Sequence, residues 1–394
     1  MPKTERSHKE PLNPAWRDLE PTLARALEPA LPGLVDEVIA AVESAVPDYS
    51  SGVEENVRLG VRQALDGFVE LVLTGSDAGL PERQIYVEFG AGEYRVGRSL
   101  DALLKAYRAG AQVAWRGLAD AGDRAGIDPR ALYTLAEAIF AYIDEISAAS
   151  AEGFAREQSR AVSELHARRH RLVDLLLRDP PAEASAIEAA ASDAGWKLPA
   201  ALAVVAFATG SDSAVASRLP AGTLVSEIDG IPVAVVPDPD GPRRRAAIAT
   251  ALDGSRGALG QTVEWREAPA SARRARLAMR LPVQTGLIDS SEHLVDVMLA
   301  GDDALAEDLA RRALAPLDDV PANRRARLLE TLEAWLDAHG EVRAAAARLH
   351  VHTQTVRYRL GQLAELYGDA LERPDRRLEL ALAIRATNAG LSSR

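Results

Sequence analysis

Residues 341–360 read EVRAAAARLHVHTQTVRYRL, and the reading of the last part of the chain turns on them. A short helix fits Val342 to Leu349, with Ala344 to Ala347 at its centre, where small side chains let another helix cross closely. His350-Val351-His352 is expected to be a turn, with Val351 plugging a core; histidine tolerates such backbone better than most residues. A further helix is expected to begin near Thr353. At roughly 100° per residue, Val356, Leu360, Leu363 and Tyr367 share one face, which is predicted to pack inward. Gln354, Tyr358 and Gly361 point away from it, flanked by Thr355 and Arg357. Upstream, Leu328, Leu332, Trp335 and Leu336 fall on one helix face, and Gly340 is the expected C-terminal cap.

The outward face carries chemistry that reads nucleic acid. Glutamine makes paired hydrogen bonds to adenine edges, threonine contacts thymine methyls, and arginine grips guanine or phosphate. Gly361 inside a helix costs about 1 kcal/mol against alanine, and a close backbone approach would account for it. The chain has a net charge of −12, but from Ala322 onward 12 Arg face 9 Asp and Glu, a balance of +3 that leaves −15 on the remainder. A mildly basic module on an acidic body suits a DNA reader whose other domains stay off the polyanion. A plain helical hairpin with a solvated polar face is the alternative reading of these residues.

The stretch from Leu328-Leu-Glu-Thr-Leu through Arg376-Arg-Leu-Glu-Leu-Ala-Leu resembles the helix-turn-helix of the PucR/CdaR family of bacterial regulators. Thr355, Arg357, Tyr358, Arg359 and Leu360 match the family pattern, whereas Thr353-Gln354-Thr355 replaces the usual Arg-Asn-Thr at the head of the recognition helix. The resemblance implies a transcriptional regulator that contacts double-stranded DNA through His352, Thr353, Gln354, Thr355, Arg357, Tyr358 and Arg359. One such motif reads few base pairs, so a homodimer is expected.

The 394 residues are too many for one ordinary core. The expectation is a multidomain chain: an all-α domain over 1–165, an α+β domain with its connector over 166–320, and an all-α helix-turn-helix domain over 321–394. Leu34, Val38, Ile39 and Val42 recur at helical spacing, as do Val57, Val61, Leu65, Phe68 and Val69. Asp128-Pro129 reads as an N-cap with a first-turn proline, opening a helix that runs to Leu177 and is highly charged from Arg156 to Arg171. This connector is the expected dimer element. Pro180-Pro181 follows its end.

The middle stretch alternates strands and helices. Ala201 to Phe207 is a short buried strand; Thr223–Glu227 and Ile231–Val236 flank Asp229-Gly230, a two-residue hairpin signal. Helix is predicted over Arg243–Leu252 and Ala270–Arg280, and strand over Gln261–Trp265. Through Ala268-Pro-Ala-Ser-Ala-Arg-Arg-Ala-Arg-Leu-Ala the block resembles the GGDEF-like middle domain of the same family, which shares the diguanylate cyclase fold. A working cyclase carries G-G-(D/E)-E-F on the central turn; here the turn reads Ile228-Asp229-Gly230-Ile231-Pro232, so a catalytically dead domain is expected. Through Gly97-Arg-Ser-Leu-Asp-Ala-Leu-Leu-Lys-Ala-Tyr-Arg-Ala-Gly-Ala and Trp115-Arg, the N-terminal region is similar to the N-terminal domain of RsbR-type stress proteins.

The residues also narrow the chemistry. There is no cysteine, which removes disulfides, a thiol nucleophile and Cys-ligated metal. No apolar run approaches the ~20 residues that span a bilayer, and the opening MPKTERSHKEPLNP is polar, so a cytoplasmic location away from membrane is expected. No histidine lies between His8 and His166, which leaves no haem ligand in the helical region. His166 and His170 are spaced i, i+4 but sit among arginines that oppose a cation, so no metal is expected. Gly90-Ala-Gly-Glu-Tyr-Arg-Val-Gly97 lacks both G-x-G-x-x-G spacing and a Walker lysine, and is read as loop-to-helix punctuation. No catalytic residues and no cofactor are assigned. The effector, a small molecule or a protein, is not legible. The rival readings are a nucleotide-cyclase-type enzyme and a helical signalling scaffold.

Overall fold

A computed structural model of the chain describes Leu19, Leu23, Arg25 and residues 28–49, 54–74, 83–210 and 212–390. The chain divides into two compact units between Glu164 and Leu165.

The described part of the first unit is helical. It comprises α1 (Leu31–Ala45), α2 (Glu54–Thr74), α3 (Arg83–Arg95), α4 (Leu100–Arg124) and most of α5 (Pro129–Leu177). Proline in the first turn starts α1, whose stripe Leu34, Val35, Val38, Ile39 and Val42 is buried, as the spacing predicts. Leu65 and Phe68 of α2 join the same core, while the side chain of Val57 lies outside the described residues. Ser99 caps α4 by accepting from the Ala102 amide at 3.2 Å, and Asp128 accepts from the Arg130 amide at 2.8 Å at the head of α5. The helix then continues unbroken for 49 residues. The run Gly90–Gly97 is not punctuation: Gly90 and Gly92 lie inside α3, and only Gly97, at φ 78°, leaves the helix. Gly90 is where α3 meets α5. A Cβ on Gly90 would stand 1.8 Å from the Ser150 carbonyl oxygen, and one on Gly153 would stand 1.8 Å from that of Val87.

The second unit begins with the end of α5 and with α6 (Ala184–Asp193). A five-stranded sheet follows: β1 (Leu202–Phe207), β2 (Leu224–Ile228), β3 (Ile231–Pro237), β4 (Arg256–Leu259) and β5 (Gly286–Asp289), in the order β2-β3-β1-β4-β5. All neighbours are antiparallel except β4 and β5. Helices α7 (Asp212–Arg218), α8 (Arg244–Ala251) and α9 (Ala268–Ala278) lie between strands in sequence. From β1 to β4 the order is β-α-β-β-α-β, a split βαβ arrangement.

Every residue of β1 is buried. Leu202, Val204 and Ala206 meet the end of α5, α6 and α9 on one face. Ala203, Val205 and Phe207 meet α7 and α8 on the other. Burial on both faces explains why this strand reads as an unbroken apolar run. Asp229 and Gly230 both take positive φ, 54° and 76°, as a two-residue hairpin turn requires.

The predicted strand over Gln261–Trp265 is not formed. Val263 makes an isolated bridge to Leu202, and Trp265 opens a 3-10 turn. The strand lies upstream, at Arg256–Leu259, which pairs with both β1 and β5. Its Gly257 fits closely against Leu252: a Cβ there would come within 2.6 Å of that buried side chain, which would have to shift.

Beyond β5 the chain is helical: α10 (Leu294–Leu299), α11 (Asp303–Leu314), α12 (Ala322–Asp337), α13 (Val342–Arg348), α14 (Thr353–Tyr367) and α15 (Pro374–Asn388). Asp302 caps α11 by accepting from the Leu305 amide at 3.0 Å. Leu314, Leu332, Leu363, Leu380 and Ile384 form one core shared by α11, α12, α14 and α15. Among the described residues, no helix is long and apolar enough to cross a membrane.

Candidate nucleic-acid interface

Helix α14 is seated by two turns of the same design. At the end of α12 the His339 amide donates to Leu336 O at 3.0 Å and the Gly340 amide to Trp335 O at 2.9 Å. At the end of α13 the His350 amide donates to Ala347 O at 3.3 Å and the Val351 amide to Ala346 O at 3.1 Å. Both are Schellman closures, and in each a histidine holds the left-handed position, at φ 52° for His339 and 53° for His350. The expected cap Gly340 is therefore the residue after the cap position, also at positive φ. Trp335 fastens this turn, donating from Nε1 to Gly340 O at 2.9 Å, while the Arg377 guanidinium stands 4.7 Å from its ring centroid.

His352 begins α14. Its Nδ1 accepts from the Gln354 amide at 3.2 Å. Val356 and Leu363 are fully buried; Val356 packs on Ala345 and Ala346 of α13, where small side chains permit the approach. Leu360 and Tyr367 are half-buried on the same side. Burial holds the Tyr367 phenol up at about 12.

The seven predicted contact residues separate into two groups. His352, Gln354, Arg357 and Tyr358 are exposed, the last at 69%. Thr353, Thr355 and Arg359 are half-buried. Arg359 does not flank the outward face: its Nη1 donates to Thr331 Oγ1 of α12 at 3.1 Å. The position one residue beyond Tyr358 is turned toward α12, which the 100° step allows but does not require. Gly361 is exposed, and a Cβ there would meet nothing within 4 Å. Arg343 carries no signal in the local sequence; it is exposed in the first turn of α13 and carries no ion pair among the described residues. Its neighbour Arg348 pairs with Asp337 at 2.8 Å. Distinguishing two arginines of one short helix needs the position of α12, which local sequence does not contain.

The arrangement is two short helices meeting at a tight turn, the second presenting hydrogen-bonding and cationic side chains to solvent. Nothing comparable stands at the β2–β3 turn. Asp229 is exposed there and lies 3.4 Å from Arg276, and no cluster of potential metal ligands occurs among the described residues.

Two family models match the chain. Residues 16–177 match the PucR-like N-terminal domain, and residues 328–386 match the PucR C-terminal helix-turn-helix domain. A purine catabolism regulatory protein of Bacillus subtilis is 43% identical over 58 residues, 15% of this chain and 11% of that protein. Uncharacterized proteins of Mycobacterium bovis and Mycobacterium tuberculosis are 34% identical over 134 residues, 34% of this chain and 27% of each relative. The matched segments thus span at most about a quarter of these relatives' lengths. The crystal structure of a regulator of polyketide synthase expression from Bifidobacterium adolescentis aligns with 58% of this chain and all of its own, at 17% identity and a TM-score of 0.30. With a PucR-like domain at its front and the PucR helix-turn-helix at its end, the chain belongs to the PucR family of helix-turn-helix regulators.

Proposed function

We propose that the chain is a cytoplasmic, homodimeric transcriptional regulator that reads double-stranded DNA by placing α14 in the major groove, under control of an input received elsewhere in the chain. The observation that carries this reading is the division of α14: Val356 and Leu363 seat it, while His352, Gln354, Arg357 and Tyr358 stand exposed from its N-terminal half. That half is the part of a recognition helix that meets base edges. Arg343 on α13 supplies a further phosphate contact. Thr353 and Thr355 sit low on the helix and touch the groove wall, and Arg359 acts by holding α14 in place.

Dimerisation through α5 is supported by Tyr133 and Phe140, one heptad apart and 72% and 63% exposed. The sheet is read as a degenerate GGDEF-like domain without cyclase activity, since one acid and one glycine at its turn do not build a metal–nucleotide site.

Selection of bound genomic fragments with the full chain tests the central claim. A reproducible motif with two half-sites supports it; fragments without any shared motif favour the scaffold reading. Incubation with GTP or ATP and Mg²⁺ tests the enzyme reading, and sedimentation at micromolar concentration tests the dimer.

A further inference from the structure

Helices α1 to α5 of the first unit line a partly open cavity of about 390 Å³. Its wall is largely apolar, with Val38, Leu65, Phe68, Leu103 and Ile146 among the side chains that line it. Glu88 stands exposed on the wall, accepting from Gln84 Nε2 at 3.3 Å, and one buried polar cluster interrupts the apolar lining. Arg98 donates from Nε and Nη2 to the two carboxylate oxygens of Glu93, at 2.7 and 2.8 Å, and Tyr49 donates to Glu93 Oε2 at 2.9 Å. Glu93 is 8% exposed. Its two oxygens thus take three hydrogen bonds, which engage Nε and Nη2 of Arg98 and leave Nη1 off the carboxylate.

The other phenols at the wall are already engaged: Tyr107 with Ser150 at 2.9 Å, and Tyr142 with Tyr86 at 2.6 Å. Burial above all keeps the Tyr49, Tyr107 and Tyr142 hydroxyls neutral, holding them well above the usual phenol range. The cavity is therefore largely apolar; its buried charges, Glu93 and Arg98, offset one another, and Nη1 of Arg98 stays off the carboxylate.

A buried ion pair is a weak source of stability, and a hydrophobic pair of similar volume often does as well. Inside an apolar chamber of ligand size, such a pair has a use as an anchor. An anion entering the chamber would compete with Glu93 for Arg98 and face a desolvated carboxylate. A cation would face Arg98 itself, with only the solvent-exposed Glu88 to pair it. A neutral acceptor disturbs neither group.

We propose that this cavity binds an uncharged, lipophilic small molecule whose single hydrogen-bond acceptor meets Arg98, and that its occupancy is the input of the regulator. The second clause rests on the regulator reading above; the first does not. Helix α5 gives Ile139, Tyr142 and Ile146 to the wall and is the same helix that runs on to Leu177.

The test uses the full chain and the neutral fluorescent probe N-phenyl-1-naphthylamine, displaced by ten-carbon competitors: 2-decanone, decane, decanoate and decylamine. Saturable probe binding is expected, with 2-decanone displacing it at concentrations about tenfold or more below those of the other three. Gly92 lies in the wall, and a Cβ there meets nothing within 4 Å, so Gly92→Phe brings a ring to the cavity with no clash at its first atom. This variant should lose the probe while keeping the parent's circular dichroism and unfolding midpoint. Glu93→Gln combined with Arg98→Met should keep the probe and abolish the preference for ketone over alkane. Absence of saturable binding, as when the chain's own residues fill the chamber, overturns the site. So does unchanged binding by Gly92→Phe, or a preference for decanoate. Binding of 2-decanone that leaves the affinity for a selected DNA fragment unchanged overturns the input clause alone. A chain that binds the ketone but no DNA overturns the regulator reading and leaves the site standing.

Discussion

Arg359 of α14 donates to the hydroxyl of Thr331 on α12 at 3.1 Å, and that buried hydroxyl in turn donates to the Arg327 carbonyl at 2.7 Å. The relay fixes the recognition helix to the helix behind it. A hydrogen bond to a charged group contributes about 1.5–3 kcal/mol when sheltered, and Arg359 is half-exposed, so about 1 kcal/mol is expected from it. Arg359→Ala should lower the unfolding free energy of the full chain by about that amount in urea titration. Its DNA affinity should fall with an almost unchanged salt slope. A flattened slope at unchanged stability would make Arg359 a phosphate contact and reverse the assignment.

Arg357 and Gln354 should separate in the opposite sense, because both are exposed and neither supports the core. Arg357→Ala should weaken binding to cognate and scrambled DNA alike, and flatten the logarithmic salt dependence by about 0.9 per lost phosphate contact. Gln354→Ala should cost about 1–3 kcal/mol on the best site and relax preference at one base pair per half-site. Titrations at several salt concentrations distinguish the two. Val356→Asp is the control, since a carboxylate in that buried site should unfold the motif and abolish both modes.

Gly361 gives a test in which stability and function move apart. Nothing in the fold asks for glycine there, because a Cβ would meet no atom within 4 Å. Gly361→Ala should therefore stabilise the chain by up to about 1 kcal/mol through helix propensity. If the α14 backbone lies close to DNA at this point, the same methyl should weaken binding. Greater stability with unchanged DNA affinity would show that the glycine serves neither the fold nor the interface.

His350 spans both concerns, closing α13 in left-handed backbone one turn before the exposed face. An L-residue in that region costs roughly 1–2 kcal/mol, which glycine escapes. His350→Gly should leave stability equal or raise it slightly. His350→Val should lower the unfolding midpoint, since a β-branched side chain suits that backbone least.

Much of this architecture is legible in the residues themselves, and the exceptions have common causes. Helices with one apolar stripe were readable because the stripe reports the buried face directly: Leu34 to Val42 in α1 and Val356 to Leu363 in α14 lie where the period places them. The Asp229-Gly230 turn was readable because few dipeptides accept two successive positive φ values. Strand β4 was not, since Arg-Gly-Ala-Leu carries no alternation and is held by pairing on both sides and by the fit of Gly257 against Leu252. Arg359 looked like its neighbour Arg357 because the difference between them is the position of Thr331, 28 residues away. The Glu93–Arg98 pair gave no signal either, for an acid and an arginine five residues apart, with Gly97 between them, usually mean only a helix end.

The glycines at the crossing of α3 and α5 set propensity against packing. Both lie in helix interiors, where replacing glycine by alanine favours the helix by about 1 kcal/mol. If local propensity governed, Gly90→Ala and Gly153→Ala would each stabilise the first unit. The packing says the reverse. Each added methyl would stand 1.8 Å from a carbonyl oxygen of the opposing helix, Ser150 for Gly90 and Val87 for Gly153. A backbone carbonyl cannot swing aside as a side chain can, so the helices must separate. Separation strains the Ser150 Oγ hydrogen bond to the Tyr86 carbonyl, 3.0 Å, and the Tyr107–Ser150 contact that sits on it. Overpacking of this kind costs about 1–3 kcal/mol, enough to outweigh the gain in propensity. Each variant should therefore unfold at lower urea than the parent, and the double variant should lose less than the sum of the two, because one separation relieves both clashes. Circular dichroism through the transition, on the parent, both singles and the double, provides the measurement. Stabilisation by either single substitution would mean that the two backbones do not touch at this crossing.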